Sequence, residues 1–204
     1  MPHPRHPGAG GSGRDPGGPL SRSRRLGVPV MTPRGTLGRK LLSVDELLAR
    51  HGSPRRRRLV FTNGCFDILH RGHVEYLAAA RALGDTLVVG LNTDASVARL
   101  KGPHRPYVTL HDRAAVLAAL ESVDVITPFD SDIPRALIAT LLPDVLVKGG
   151  DYALEEMVGR EEVEAAGGEV VLVPYLPGRS TTRLVHRIRR TEPAPSDRAE
   201  PDSG

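Results

Sequence analysis

The chain has 204 residues, a formal net charge of +4, a pI near 9.6 and 39% hydrophobic residues; this size accommodates one globular domain with flexible ends and excludes two large domains. No stretch approaches the ~20 consecutive apolar residues of a membrane-spanning helix, and the Arg-rich start lacks the ~7–15-residue apolar run of a secretion signal, so a cytoplasmic protein without membrane attachment is expected. Cys65 is the single cysteine, which excludes an intramolecular disulfide and a multi-thiolate metal site and leaves this thiol reading as a small buried hydrophobe.

Residues 1–40 are dense in Gly, Pro, Ser and Arg with almost no apolar periodicity. Such a segment cannot bury enough surface to offset the entropy of ordering, so it reads as a disordered tail, with Met31 an alternative start. Much of the basic charge sits there. With 3% aromatic residues and no recognisable nucleic-acid motif, nucleic-acid binding is not expected. Residues 41–57 read as a helix and linker, because a cap-like Ser43 precedes apolar residues at helical spacing.

Five short apolar, β-branched runs follow, at 59–62, 86–91, 123–127, 144–147 and 169–173. Helical stripes lie between them at 73–83, 112–120, 134–141 and 155–166, and a last helix follows Ser180. This alternation predicts an α/β domain over residues 58–190, a doubly wound parallel five-stranded sheet of Rossmann-like type. Residues 191–204 read as a second disordered tail. Ligands of such sheets bind outside the carboxyl ends of the strands, so chemistry is expected in the loops after strands one, four and five.

The first strand runs into Thr62-Asn63-Gly64-Cys65-Phe66-Asp67-Ile68-Leu69-His70-Arg71-Gly72-His73. Gly64 would let a phosphate approach the main chain, and the helix start beyond it offers N–H groups to anions. His70 and His73, three apart, share one helix face within reach of one phosphate chain. The alternatives are two ordinary surface histidines, or a zinc pair for which no third or fourth ligand lies nearby in sequence. After the second strand, Asn92-Thr93-Asp94-Ala95-Ser96-Val97 and Arg99-Leu100-Lys101-Gly102 with Arg105-Pro106 read as a basic loop, whose bland reading is simple solvation. The fourth strand ends in Lys148-Gly149-Gly150-Asp151, which puts an ammonium and a flexible backbone at the carboxyl edge. Ser180-Thr181-Thr182 opens the last helix, either as a second anion site or as an N-cap.

The run Gly64-Cys65-Phe66-Asp67-Ile68-Leu69-His70-Arg71-Gly72-His73 resembles the G-x-F-D-x-x-H-x-G-H signature of the nucleotidyltransferase superfamily. Its H-x-G-H element alone also resembles class I aminoacyl-tRNA synthetases, for which this chain is far too short and lacks a K-M-S-K-S-like segment. Together with Arg99-Leu100-Lys101-Gly102, Leu146-Val147-Lys148-Gly149-Gly150-Asp151-Tyr152 and Ser180-Thr181-Thr182, the run resembles, over residues 59–189, the bacterial adenylyltransferases that make ADP-heptose from D-glycero-β-D-manno-heptose 1-phosphate. Those are often fused behind a sugar kinase, so the resemblance implies a separate heptose kinase. Glycerol-phosphate cytidylyltransferases carry R-T-E-G-I-S-T-T, whereas this chain has Tyr175-Leu176-Pro177-Gly178-Arg179-Ser180-Thr181-Thr182. The missing Arg-Thr-Glu argues against the alternative, cytidylyl transfer to glycerol 3-phosphate or phosphoethanolamine.

The resemblance implies in-line attack of the sugar phosphate on the α-phosphorus of ATP, with pyrophosphate leaving. His70 and His73 would hold the α- and β-phosphates, Lys101 and Arg113 would neutralise the attacking phosphate, and Mg2+ would bridge the triphosphate. It further implies Asn63, Gly64, Cys65, Phe66, Asp67, Gly72, Asp94, Ser180, Thr181 and Thr182 at the nucleotide, Gly149 and Asp151 at the acceptor, and Lys148 at the acceptor or the nucleotide. No residue is assigned as a resident metal ligand, and Asp67 is implied as a structural or metal-associated carboxylate. The expected partners are ATP, a sugar 1-phosphate and further copies of the chain in a homo-oligomer.

Overall fold

The computed structural model describes residues 35–150, 157–174 and 180–190. The chain divides into residues 1–30 and 31–204, and every described residue lies in the second unit. In that unit β1 (Leu59–Gly64) is central to a five-stranded, all-parallel sheet with β2 (Thr86–Asn92), β3 (Val125–Phe129), β4 (Val145–Gly149) and β5 (Glu169–Val173), in the order β3-β2-β1-β4-β5. This is the predicted doubly wound, Rossmann-like arrangement.

The strands read as continuous apolar runs rather than alternating ones because both faces of the sheet are covered. Val60, Leu87, Val89, Leu91, Val145 and Val147 pack on one side against Tyr76, Leu77 and Ala80 of α3 (Arg71–Arg81) and Ala114, Leu117 and Ala118 of α5 (Leu110–Ala118). On the other, Leu59, Phe61, Val88 and Leu146 meet Leu47 of α2 (Val44–His51), Ile138 and Leu141 of α6 (Arg135–Leu141) and Val163 of α7 (Arg160–Ala165). Each fully buried aliphatic side chain contributes about 1.5–3 kcal/mol. Ser43 caps α2 as its sequence suggests: Glu46 N donates to Ser43 Oγ at 3.2 Å, and Ser43 N donates to Glu46 Oε2 at 2.9 Å.

Some local readings change. Residues 36–40, assigned by composition to the tail, form α1 (Thr36–Lys40), where Leu37 packs on the core and Lys40 Nζ donates to the Leu120 carbonyl at 3.0 Å. The basic loop expected after β2 is instead α4 (Asp94–Lys101), capped by Thr93 and ended by Gly102 at φ 101°. Its only buried residues are Ser96 and Val97, so it has no apolar stripe for a sequence reading to find. Lys101 is therefore the last residue of a helix. β3 starts two residues later than expected because Asp124 is used to hold the start of the sheet, its Oδ2 accepting from Leu87 N at 2.8 Å. The final helix, α8, spans Thr181–Arg190. No helix among the described residues is long and apolar enough to cross a membrane.

The strand order reverses between β1 and β4, and this reversal positions the site. β1 pairs with β2 along its whole length, from Leu59 to Gly64, but with β4 only at Val60 and Phe61. Beyond Phe61 the two strands part, and a crevice opens at their carboxyl ends between Asn63-Gly64 and Lys148-Gly149.

Packing rather than strand propensity sets the residue at the middle of β2. A Cβ on Gly90 would lie 2.8 Å from Phe61 Cζ and 3.2 Å from Asn63 Cβ. Gly90→Val raises β propensity yet overpacks this spot, so it is expected to destabilise by about 2 kcal/mol and lower the melting midpoint by about 5 °C. A midpoint that rises would show propensity winning over packing.

Candidate active site

The loop from β1 to α3 is built around a strained aromatic. Phe66 adopts φ 44°, a left-handed backbone that costs a bulky residue on the order of 1–3 kcal/mol. Its ring lies over Gly64, where a Cβ would sit 3.0 Å from Phe66 Cε2. Gly64 thus makes room for an aromatic ring while also lining the cavity described below. The Phe66 ring in turn meets the His73 ring at 5.3 Å and 59°, and the His70 ring stacks on His73 at 3.8 Å and 23°. Gly72 is buried in the first turn of α3.

The backbone N–H of His70 donates to His73 Nδ1 at 3.4 Å, which leaves the proton of a neutral His73 on Nε2. Burial, with the neighbouring His70 adding to it, pushes the His73 pKa down to about 4. At neutral pH this side chain is an uncharged N–H donor. It lines a cavity of about 400 Å³ at the crevice between β1 and β4.

Of the other residues implied by the resemblance, Asn63, Gly64, Cys65, Phe66, Asp67, Lys101, Lys148, Gly149, Thr181 and Thr182 line this cavity. Lys148 Nζ donates to Asn63 Oδ1 across the strand gap, and burial lowers its pKa to about 8, with Cys65 opposing the shift. Cys65 is itself raised by burial, while Lys101, Arg113 and Arg105 pull it back; it is a neutral thiol in a positive field, not a nucleophile. Thr181 Oγ1 donates to the Ile68 carbonyl at 3.4 Å, tying α8 to the β1–α3 loop. Ser180 acts as the helix cap, accepting from Arg183 N at 3.2 Å. Asp151 lies outside the described residues.

Arg113 and Asp94 take a different place from the one implied. The Arg113 side chain is 0% exposed, and its Nε, NH1 and NH2 donate to the Val108 carbonyl at 3.0 Å, the Cys65 carbonyl at 2.6 Å and Asp94 Oδ1 at 2.6 Å. Buried and held by those three acceptors, the guanidinium does not line the cavity. Arg113 is a positioning residue, and Asp94 is its counter-ion. Asp67 is likewise occupied: its side chain is 1% exposed and accepts from Arg105 Nε at 2.6 Å, Tyr107 N at 2.8 Å and Val108 N at 2.9 Å.

Tyr76 and Asp132 were missed in the sequence, and Asn92, Leu100 and Arg105 were given no role there, yet all five line the cavity. Asn92 ends β2 and Asp132 follows β3, and the carboxyl-edge rule covers those strands too. Asn92 Nδ2 donates to Ser96 Oγ at 2.9 Å, and Asp132 accepts from Arg99 Nε at 2.7 Å. Among the described residues no group of three or more His, Cys, Asp or Glu is placed to hold a metal ion.

Residues 61–187 match the family described as cytidylyltransferase-like. The chain is 56% identical over 152 residues to the bifunctional protein HldE of Citrifermentans bemidjiense, covering 73% of this chain and 31% of that protein. To the bifunctional protein HldE of Pectobacterium atrosepticum it is 48% identical over 179 residues, covering 81% of this chain and 37% of that protein. The chain thus spans about a third of the length of these curated relatives. Among solved structures, pantoate-β-alanine ligase from Francisella tularensis, complexed with β-γ ATP and β-alanine, aligns with a TM-score of 0.51 at 14% identity, over 70% of this chain and 69% of that one; the likeness shows the fold.

Two outcomes test this geometry. The unfolded imidazole of His73 takes its proton near the ordinary 6.5 while the folded one resists to about 4, so stability rises with pH through that window and is lost as pH falls across it. Proton NMR should show one histidine titrating near pH 4, absent in His73→Phe; a midpoint near 6.5 would remove the neutral-donor assignment. Arg113→Ala orphans the Cys65 and Val108 carbonyls and opens a cavity, so urea unfolding should report a loss of about 3 kcal/mol. An unchanged unfolding midpoint would return Arg113 to a direct role at substrate.

Proposed function

The chain belongs to the cytidylyltransferase-like family and is a nucleotidyltransferase, and on that premise we propose that it joins AMP from ATP to D-glycero-β-D-manno-heptose 1-phosphate, giving ADP-heptose and pyrophosphate. One observation carries the reading: a stacked histidine pair at the start of α3, with the neutral His73 lining the cavity at the switch point. The choice of sugar and nucleotide is supported by the resemblance of the four segments and by 56% identity to a bifunctional protein HldE.

In this reading an oxygen of the sugar phosphate bonds to the α-phosphorus, and the bond from that phosphorus to the β-phosphate bridging oxygen breaks. Pyrophosphate carries away the electron pair. A phosphate monoester is already anionic near neutral pH, so no side chain has to remove a proton from it, and catalysis comes from positioning and charge stabilisation. His73 donates through Nε2 to a non-bridging oxygen without adding charge, and His70 holds His73 in place by stacking and by its backbone N–H. Lys148 supplies an ammonium on the β4 side, where an arriving triphosphate raises its pKa and keeps it charged. Thr181 and Thr182, at the N-terminus of α8, offer hydroxyl and N–H donors to the nucleotide. Mg2+ enters as part of the MgATP substrate, since Asp67 has both oxygens engaged by protein donors. The acceptor requires a preceding kinase step at the anomeric position.

Purified protein given each nucleoside triphosphate and a set of phosphorylated acceptors should release pyrophosphate with ATP and a heptose 1-phosphate, and far less with CTP. His73→Ala should lower kcat by about a hundredfold, as loss of one preorganised donor does elsewhere, with little change in the melting curve. Comparable turnover of CTP with glycerol 3-phosphate would sink the assignment.

A further inference from the structure

The segment joining α4 to α5 carries a cation with an unusual setting. Arg105 lines the cavity alongside Lys101, yet its side chain is only 18% exposed. Nε donates to Asp67 Oδ2 at 2.6 Å, and the guanidinium carbon stands 4.7 Å over the ring of Tyr107. The other Asp67 oxygen accepts from the main chain of Tyr107 and Val108, so the carboxylate cannot swing away from its arginine. One edge and one face of the guanidinium are therefore fixed, while the terminal nitrogens have no hydrogen-bond partner among the described residues.

We propose that Arg105, oriented by Asp67, grips the phosphate of the acceptor substrate with its terminal N–H groups; the word acceptor rests on the function proposed above. A planar fork whose orientation is already fixed loses little freedom when a phosphate docks, and phosphate geometry suits two parallel N–H donors. Because Asp67 already balances the charge of Arg105, the arginine supplies geometry and Lys101, at the end of α4, supplies net positive charge. Both residues come from chain that follows β2, across the switch point from Lys148 and Gly149 of β4. That separation gives the two sides of the cavity different phosphates to hold. Arg113, the other arginine near this segment, is itself fully buried, is held by three protein acceptors and does not line the cavity.

The test measures binding of inorganic phosphate and of glucose 1-phosphate by calorimetry with the nucleotide site saturated by α,β-methylene-ATP. Arg105→Ala should weaken both probes by about tenfold or more, the usual weight of a charge-assisted contact, while the affinity for α,β-methylene-ATP changes by less than about threefold. Arg105→Lys should recover only part of the loss, since an ammonium cannot keep Asp67 and also offer a fork. Asp67→Asn should weaken phosphate binding in the wild-type background and add little in Arg105→Ala, a coupling that a purely structural carboxylate would not show. Phosphate affinity within about twofold of wild type in a folded Arg105→Ala, a loss that falls on α,β-methylene-ATP instead, or a wild type that binds neither probe would each overturn the proposal. Failure of the wild type to release pyrophosphate from ATP with any sugar 1-phosphate would sink the function while leaving the phosphate titrations to judge Arg105.

Discussion

Burying a carboxylate is costly unless its lone pairs are met, and Asp67 meets that demand with donors drawn from a distant stretch of chain, Arg105, Tyr107 and Val108. The segment between α4 and α5 is thereby fastened to the β1–α3 loop. Arg113 extends the link, since it reaches the Val108 carbonyl, the Cys65 carbonyl and Asp94 together. Tyr107 carries it further, accepting a hydrogen bond from Arg189 of α8 at 3.1 Å. Loop, helix starts and final helix are thus joined by polar bonds, where an apolar core could not hold chain segments that must also face solvent and substrate. Truncating any one member leaves charges or carbonyls unmet, so the network resists piecemeal change.

The site divides its donors by charge state, and burial makes the division. His73 is kept neutral near the strained Phe66, Lys148 is drawn toward neutrality beside Asn63, and Lys101 stands exposed at the end of α4. In the proposed reaction, a neutral donor at the phosphate avoids the desolvation cost of a buried imidazolium. Cations at the periphery attract anionic substrates through a field that acts before contact. The strain at Phe66 belongs to the same design: its ring shields one side of His73, and Gly64 is the residue small enough to let that ring sit there.

The sheet, its covering helices and the histidine pair were legible because each leaves a periodic or clustered trace. Buried parallel strands appear as continuous apolar runs, and His70 and His73 occupy helix spacing after a strand. α4 left no such trace, since Val97 is its single buried apolar side chain. The burial of Arg113 was not legible for a related reason. Sequence shows a cation near segments that resemble phosphate-binding motifs but not whether its donors are already taken, and that is set by backbone carbonyls no sequence pattern displays.

Arg105 and Arg113 illustrate how a fold sorts two chemically identical side chains. Both lie near the cavity, and both pair with an aspartate, but the geometry of the aspartate differs. Asp94 is half exposed and engages one end of a guanidinium whose other nitrogens are bound to main-chain carbonyls, and Arg113 itself is fully buried and does not line the cavity. Asp67 is buried and engages Nε of Arg105, the nitrogen nearest the side-chain stem, which directs the remaining donors away from the carboxylate. The exposed partner therefore accompanies an arginine that serves the fold, and the buried partner accompanies one presented for recognition. A change that moved Arg105 from Nε pairing to terminal pairing would keep the ion pair and its contribution to stability while removing the fork, and the fork, not the ion pair, is what distinguishes a phosphate from any other anion.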